Sequence, residues 1–381
     1  MIIRQFKDKD ISLYGMGCMR LPKIADGGDG DIDEASALEM VDYAYNHGVN
    51  YFDTAWGYHA GNSENVMGKA LSRYPRDSFY LATKFPGYDP SCWGKHEEIF
   101  AKQQEKLQTD YLDFYLIHNV CEMNIDAYLN SKEYGDVEYF IKQREAGKIK
   151  HLGFSVHGNI NTMQRFLDAY SNQMEFVQIQ LNYIDYEFQD AKLKLELAAK
   201  YDLPVIVMEP LRGGMLAKAT DEETAKLTAA RPDEGIVAWA ERYLQGFDQV
   251  FTILNGASSM DQLKENIVYF EDEKPLSESD MTVLKGIVDD RMSKGIAPCT
   301  ACHYCTPHCP QEIDIPQMLS LFNEHKFTGG GFLAPMFLGT VEEGHLPKDC
   351  IGCGACAEVC PQSIEIPETL AEFSQLFDGK Y

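Results

Sequence analysis

The chain is 381 residues long and 45% hydrophobic, enough for one barrel plus a small module and too much for a single ordinary domain. Its net charge of −25 argues against a nucleic-acid or anionic-membrane surface. No stretch reaches the roughly 20 apolar residues of a membrane span, and the start, MIIRQFKDKD, carries charges where a signal peptide has an apolar core. With eleven cysteines and no secretory pattern, the expected home is the reducing cytoplasm.

Residues 2–13 alternate weakly around KDKD, which predicts a hairpin plugging one end of a barrel. Short apolar runs then alternate with amphipathic stretches. Strands are expected at 13–18, 50–53, 79–83, 112–117, 151–154, 176–180, 205–208 and 250–254. Helices are expected at 35–46, 63–71, 97–108, 136–146, 160–170, 189–200, 234–245 and 259–269. Eight of each is the count of a (β/α)8 TIM barrel. A doubly wound sheet would alternate too, but the polar residues just past the strand ends favour the barrel. The polar stretch EDEKPLSES (271–279) reads as an exit loop, followed by a helical pattern to about residue 293. The boundary is therefore expected near 285, with a barrel over 1–285 and a smaller, helix-rich module over 286–381.

Three consecutive strand ends carry candidate chemistry. NYFDTAWGY places Asp53 and Tyr58 after the second barrel strand, LATKF ends the third with Lys84, and YLIHN ends the fourth with His118. Barrel active sites lie at the C-terminal strand ends, so the four meet at one mouth. A free tyrosine has a pKa of about 10 and is a weak acid at neutral pH. A neighbouring lysine is expected to lower that pKa, and Asp53 to hold the lysine charged and in place. A histidine beside the phenol can orient or polarise a substrate oxygen. Each residue alone has a structural explanation; the foursome points to carbonyl reduction. His157 lies close enough to Ser155 to face the mouth but reads first as a surface-loop histidine, and Cys18 reads as a small buried hydrophobe. Trp56 and Tyr88 suit either a pocket wall or aromatic packing.

The last hundred residues carry Cys-x2-Cys-x2-Cys-x3-Cys-Pro twice, as Cys299, Cys302, Cys305, Cys309 and as Cys350, Cys353, Cys356, Cys360. This is the ligand run of paired [4Fe–4S] clusters, in which the fourth cysteine serves the other cluster. That rule assigns Cys299, Cys302, Cys305 and Cys360 to one cluster, and Cys350, Cys353, Cys356 and Cys309 to the second. Zinc also takes Cys-x2-Cys pairs, but seldom triples followed by Cys-Pro. His303 and His308 inside the first run read as surface residues.

GMGCMRLP, the D-T-A-x-x-Y of 53–58, Lys84, Ile117–His118, GFS at 153–155, Q-I-Q-L-N-Y from Gln178, PLRGG at 210–214 and E-N at 265–266 span roughly residues 1–270. On these the chain resembles an aldo-keto reductase, and with its cysteine runs it is similar to bacterial aldo-keto reductases fused to a C-terminal ferredoxin-type domain. The resemblance implies a (β/α)8 barrel using NADP or NAD, with Tyr58 as general acid, Lys84 and Asp53 tuning it, and His118 positioning the carbonyl. It further implies that Ser155 and Gln178 hold the carboxamide and that Met208 stands where a tyrosine often stacks on the nicotinamide. Val156 replaces a frequent asparagine. Leu211, Arg212 and Gly213 fall where the loop approaches the pyrophosphate. At the adenosine end Gly256 and Gln262 replace the usual lysine and arginine, Ser258 is kept, and Asn266 and Glu265 match adenine contacts. NAD and NADP both stay open.

Hydride carries two electrons and a cluster carries one. A flavin would bridge the two regimes, but no flavin motif is visible. The sequence points to an oxidoreductase acting on a small carbonyl or alcohol, associated with iron–sulfur electron transfer and a redox partner protein. The alternative is a redox sensor or electron relay whose barrel holds a nucleotide without turnover.

Overall fold

The computed structural model describes residues 1–381 except 26, 29, 122–123, 294, 298, 300–304, 329–332, 340, 361–363 and 378–381. An N-terminal hairpin pairs β1 (Ile3–Phe6) antiparallel with β2 (Lys9–Ser12). Eight parallel strands follow: β3 (Tyr14–Gly17), β4 (Tyr51–Asp53), β5 (Tyr80–Phe85), β6 (Leu112–Val120), β7 (Ile149–Val156), β8 (Val177–Gln180), β9 (Val205–Met208) and β10 (Val250–Gly256). They close into a barrel in chain order, β10 pairing with β3. Parallel neighbours require crossovers, and helices supply them. The first are α1 (Glu34–Asn46), α2 (Ser63–Leu71), α3 (His96–Leu107), α4 (Ile125–Leu129), α5 (Asp136–Glu145) and α6 (Ile160–Tyr170). The rest are α7 (Asp185–Phe188), α8 (Ala191–Lys200), α9 (Asp221–Ala230), α10 (Ile236–Gln245) and α11 (Met260–Val268). All eight expected strands and eight expected helices form. The extra helices α4, α7 and α9 occupy stretches for which no element is expected from the sequence.

Local chemistry sets the helix starts. Asp33 accepts from the Ser36 N–H ahead of α1, Asn159 from Thr162 ahead of α6, and Thr220 with Glu223 makes a capping box on α9. The hairpin closes the barrel floor. Phe6 packs against Phe114 at 5.1 Å and Phe251 at 4.7 Å between ring centroids, within a buried layer that includes Tyr51, Phe176 and Ile206. This layer fills the floor beneath the mouth at the C-terminal strand ends.

The described chain divides into two compact units, Met1–Met281 and Thr282–Tyr381, with α12 (Glu278–Met292) running across the division. The second unit is helical: α13 (Ile315–Thr328), α14 (Leu333–Leu338), α15 (Ala355–Glu358) and α16 (Ile366–Leu376). Its core gathers Ile313, Ile315, Phe322, Leu370 and Phe373 around the buried Cys305 and Cys356. The Asn323 side chain bonds both backbone groups of Ala297 at 2.7 Å, tying the approach to the first cysteine run onto α13. Among the described residues, no helix is long and apolar enough to cross a membrane.

Candidate active site

A cavity of about 880 Å³ opens at the barrel mouth. Asp53 ends β4, Lys84 lies one residue short of the end of β5, and His118 lies in β6. Tyr58 opens a short 3-10 turn after β4. The Lys84 Nζ donates to Asp53 Oδ1 at 2.5 Å, to the Thr54 carbonyl at 2.8 Å and to Tyr58 Oη at 3.5 Å. Lys84 is fully buried and its partner Asp53 nearly so. Asp53, Tyr58 and His118 face the cavity, and Lys84 supports them from beneath.

Burial opposes charge on every member of this group. It would strip the proton from Lys84, but the Asp53 carboxylate and Tyr58 hold the ammonium above its usual pKa. Burial raises the Asp53 carboxyl, against the pull of Lys84. Burial also pushes the Tyr58 phenol up, and Lys84 recovers only part of that rise. The lysine lowers this phenol as expected, but desolvation outweighs its pull. The His118 ring stands edge-on to Tyr58 at 6.2 Å and to Tyr88 at 5.3 Å. Burial, Lys84 and His157 drive its pKa well below the usual value, so the ring is neutral at pH 7.

A second layer fixes the lysine strand. Gln103 Nε2 donates to the Lys84 carbonyl and to Glu64 Oε1, both at 2.9 Å, and Glu64 also takes Thr83 Oγ1 at 2.6 Å and pairs with Lys106 at 3.2 Å. The same Lys106 ammonium lies 4.1 Å from the centroid of the Trp56 ring, which is packed there rather than lining the cavity. Tyr88 does line it.

Of the residues expected at the cofactor, Gln178, Met208, Leu211 and Gly213 line the cavity on one side, and Gly256, Ser258, Gln262 and Asn266 on another. Ser155 stands behind the wall, its Oγ accepting from the Asn119 N–H at 2.8 Å. Arg212 is also away from the lining, with its Nε 3.1 and 3.2 Å from the two carboxylate oxygens of the buried Asp185. His157 is exposed just past β7, as its surface-loop reading expects, and it also lines the cavity. Cys18 is buried as expected.

Among the lining residues that went unassigned in the sequence are Arg20 and Asn119. Arg20 lies in GMGCMRLP, directly after the first barrel strand, and its carbonyl accepts from Ser258 Oγ at 3.0 Å. Its side chain would meet a Cβ at Gly256 within 3.4 Å and at Gly213 within 3.3 Å, so it crosses between two glycines that make room for it. Among the described residues, it is the one lysine or arginine lining the cavity.

A carboxyl is also hidden behind the wall. Glu241 of α10 is fully buried, with Oε2 taking a long bond from Asn255 Nδ2 at 3.4 Å and Oε1 without a partner among the described residues. Burial lifts its pKa to about 8, against the pull of Asn255 and Arg242. In the unfolded chain the proton leaves near pH 4.5; in the fold it stays until about 8. Stability therefore falls as pH rises between those values. Glu241→Gln is expected to stabilise the protein by about 3 kcal/mol at pH 7 and by little at pH 5. Urea midpoints at the two pH values check this, and an equal gain at both would contradict it.

In the C-terminal unit, Cys309 from the first run and Cys350, Cys353 and Cys356 from the second line one small cavity. The fourth cysteine of one run thus joins the first three of the other. Nearby Cys350 and Cys353 raise the pKa of Cys356, after burial as the larger cause. Among the described residues, no three His, Cys, Asp or Glu side chains converge as on a single metal ion. Cys299, Cys305 and Cys360 also pack at the unit's core, and Cys302 lies outside the described residues.

Comparison with known proteins agrees with this geometry. Residues 15–289 match the aldo/keto reductase family, and residues 298–365 match the 4Fe-4S dicluster domain. An uncharacterized oxidoreductase of Bacillus subtilis is 27% identical over 293 residues, 68% of this chain and 87% of that protein. The NADH-specific methylglyoxal reductase of Escherichia coli is 23% identical over 330 residues, 74% of this chain and 96% of that protein. The holo form of an aldo-keto reductase from Bacillus halodurans superposes with a TM-score of 0.61 at 25% identity, over 75% of this chain and 96% of that one.

Proposed function

The chain belongs to the aldo/keto reductase family and carries a 4Fe-4S dicluster domain, and from that premise we propose that its barrel interconverts a small carbonyl compound and its alcohol with a nicotinamide dinucleotide. The observation that carries this reading is the Asp53–Lys84–Tyr58 chain of contacts, 2.5 and 3.5 Å long, ending in a phenol that faces a cavity. The cavity suits the cofactor: Gln178 offers a buried, unpartnered Oε1, and Gly213 and Gly256 leave backbone accessible. When bound, the reduced nicotinamide supplies hydride to the carbonyl carbon.

The chain's own residues do the rest. Tyr58 Oη hydrogen-bonds the carbonyl oxygen and gives it a proton as negative charge develops. Lys84, held charged by Asp53, stabilises the phenolate left behind. The neutral His118 ring orients the carbonyl from beside the phenol without competing as an acid. Arg20 pairs with cofactor phosphate, the part expected of Arg212, whose guanidinium is on Asp185. Either NADH or NADPH fits this reading, and the name of the Escherichia coli relative supports small aldehydes as the first substrates to test.

In the C-terminal unit, Cys309, Cys350, Cys353 and Cys356 hold one [4Fe–4S] cluster, and Cys299, Cys302, Cys305 and Cys360 a second. A cluster supplies one-electron transfer, which makes a one-electron carrier protein the partner to seek.

Anaerobic assays of NADH and NADPH oxidation against a panel of aldehydes and ketones test the barrel. Because Tyr58 is raised and His118 lowered, kcat/KM for reduction is expected to stay level across neutral pH and to fall only in the alkaline range, above the ordinary phenol value of about 10. Alcohol oxidation, which needs the phenolate, is expected to rise with pH over that range. A reduction rate that falls between pH 6 and 8 contradicts these assignments.

A further inference from the structure

Neighbours on a strand face opposite sides, yet His118 and Asn119 both line the mouth. The register between β6 and β7 explains it. Ile117 pairs with Phe154 and Val120 with Val156, and the pairing shifts between them. The extra residue makes a bulge, a device that re-aims side chains beside active sites. Asn119 carries the turn at φ 53°, a left-handed conformation that asparagine tolerates better than most residues. Its N–H is spent on Ser155 Oγ at 2.8 Å and its carbonyl on Asn124 Nδ2 at 2.8 Å, so the bulge is locked from both sides.

The Asn119 side chain is left with unmet demand. Its Oδ1 is buried without a hydrogen-bond partner among the described residues, and so is Gln178 Oε1. Gln178 stands directly opposite Ser155 across β7 and β8, so Ser155, behind the wall, links the Asn119 and Gln178 positions that line it. The Gln178 Nε2 donates to the Met208 thioether, 3.3 Å away, a weak acceptor. Two buried acceptors left without donors cost free energy unless a ligand satisfies them. One group meets both: a primary amide, whose NH2 has two hydrogens to give. Ser155, behind this wall, spends its Oγ on the Asn119 N–H and so holds the bulge in place.

We infer that Asn119 is a cofactor-binding residue: with Gln178 it takes the NH2 of the nicotinamide carboxamide, and so fixes which face of the ring turns toward Tyr58. This rests on the proposed use of a nicotinamide dinucleotide and adds to it a residue and a role.

The test is binding to the full-length, cluster-reconstituted protein without substrate. The probes are NADH, NADPH and their 3-acetylpyridine counterparts, in which a methyl replaces the NH2. The unaltered protein is expected to bind the acetylpyridine form of its preferred cofactor about tenfold more weakly, the order of one to two neutral hydrogen bonds. Asn119→Gly accepts the left-handed backbone and removes the acceptor; its preference is expected to shrink to about threefold or less. Asn119→Asp keeps an acceptor and is expected to keep the preference. Carboxamide cofactors that bind with no preference over the analogues, or a preference untouched by Asn119→Gly, overturn the inference and leave the proposed activity standing. Failure of every dinucleotide to bind overturns both.

Discussion

Tyr58→Phe is expected to lower kcat for carbonyl reduction by about 100- to 10,000-fold, the usual range for losing a positioned general acid, while leaving cofactor affinity nearly unchanged. The phenol is the one acidic hydrogen in the Asp53–Lys84–Tyr58 group that faces the cavity. Lys84 is fully buried beneath it. His118, driven neutral by burial and Lys84, is poorly placed to take over as acid. Phenylalanine keeps the ring and its edge-on packing against His118, so the fold is expected to hold. Stopped-flow measurement of cofactor oxidation, with binding measured separately, checks both halves. A drop in kcat below threefold would mean that Tyr58 is not the proton donor.

The second large effect concerns the clusters. Cys309→Ala is expected to halve the bound iron and sulfide, from about eight to about four of each per chain, as two [4Fe–4S] clusters become one. The choice of partner gives the test its edge. Cys309 lines a cavity with Cys350, Cys353 and Cys356. The double variant Cys309→Ala/Cys356→Ala removes two ligands of one cluster and should still hold about four irons. Cys305→Ala/Cys309→Ala removes one ligand from each cluster and should hold almost none. The reverse pattern would place Cys309 with its own run, and zinc in place of iron would remove the cluster assignment altogether.

The sequence carries much of this account on its face, for local reasons. Apolar runs mark the barrel strands because a parallel sheet is buried on both faces, and the four residues of the candidate site sit at or just past strand ends, where a barrel collects them. The cysteine spacing carries its own geometry. What escaped depends on contacts between distant segments. Arg20 follows the first strand but works between Gly213 and Gly256. Arg212 is expected at the pyrophosphate until Asp185 is seen to hold it. Glu241 looks like an ordinary helix-surface glutamate, and only the closed barrel buries it behind Asn255. Asn119 is hidden by the strand's own periodicity, which a one-residue bulge breaks. The upward shift of Tyr58 is a balance between burial and Lys84, and burial is a property of the assembled mouth.

The relation between the two halves is a question of electron number. The barrel's proposed chemistry moves electrons in pairs and the clusters move them singly, so turnover with a dinucleotide and a carbonyl should not require the clusters to change oxidation state. Cluster-deficient Cys309→Ala/Cys305→Ala protein is therefore a useful control for barrel activity.

The most direct measurement is isotopic. Oxygen-free, cluster-replete protein is given NADH or NADPH deuterated at the transferable C4 position together with a small aldehyde, and the alcohol product is analysed by mass spectrometry. Direct hydride transfer predicts one deuterium on the former carbonyl carbon, with the label absent when Tyr58→Phe replaces the unaltered chain over the same time. Product that forms with solvent hydrogen at that carbon, or labelled product that forms equally fast without the phenol, would contradict the account.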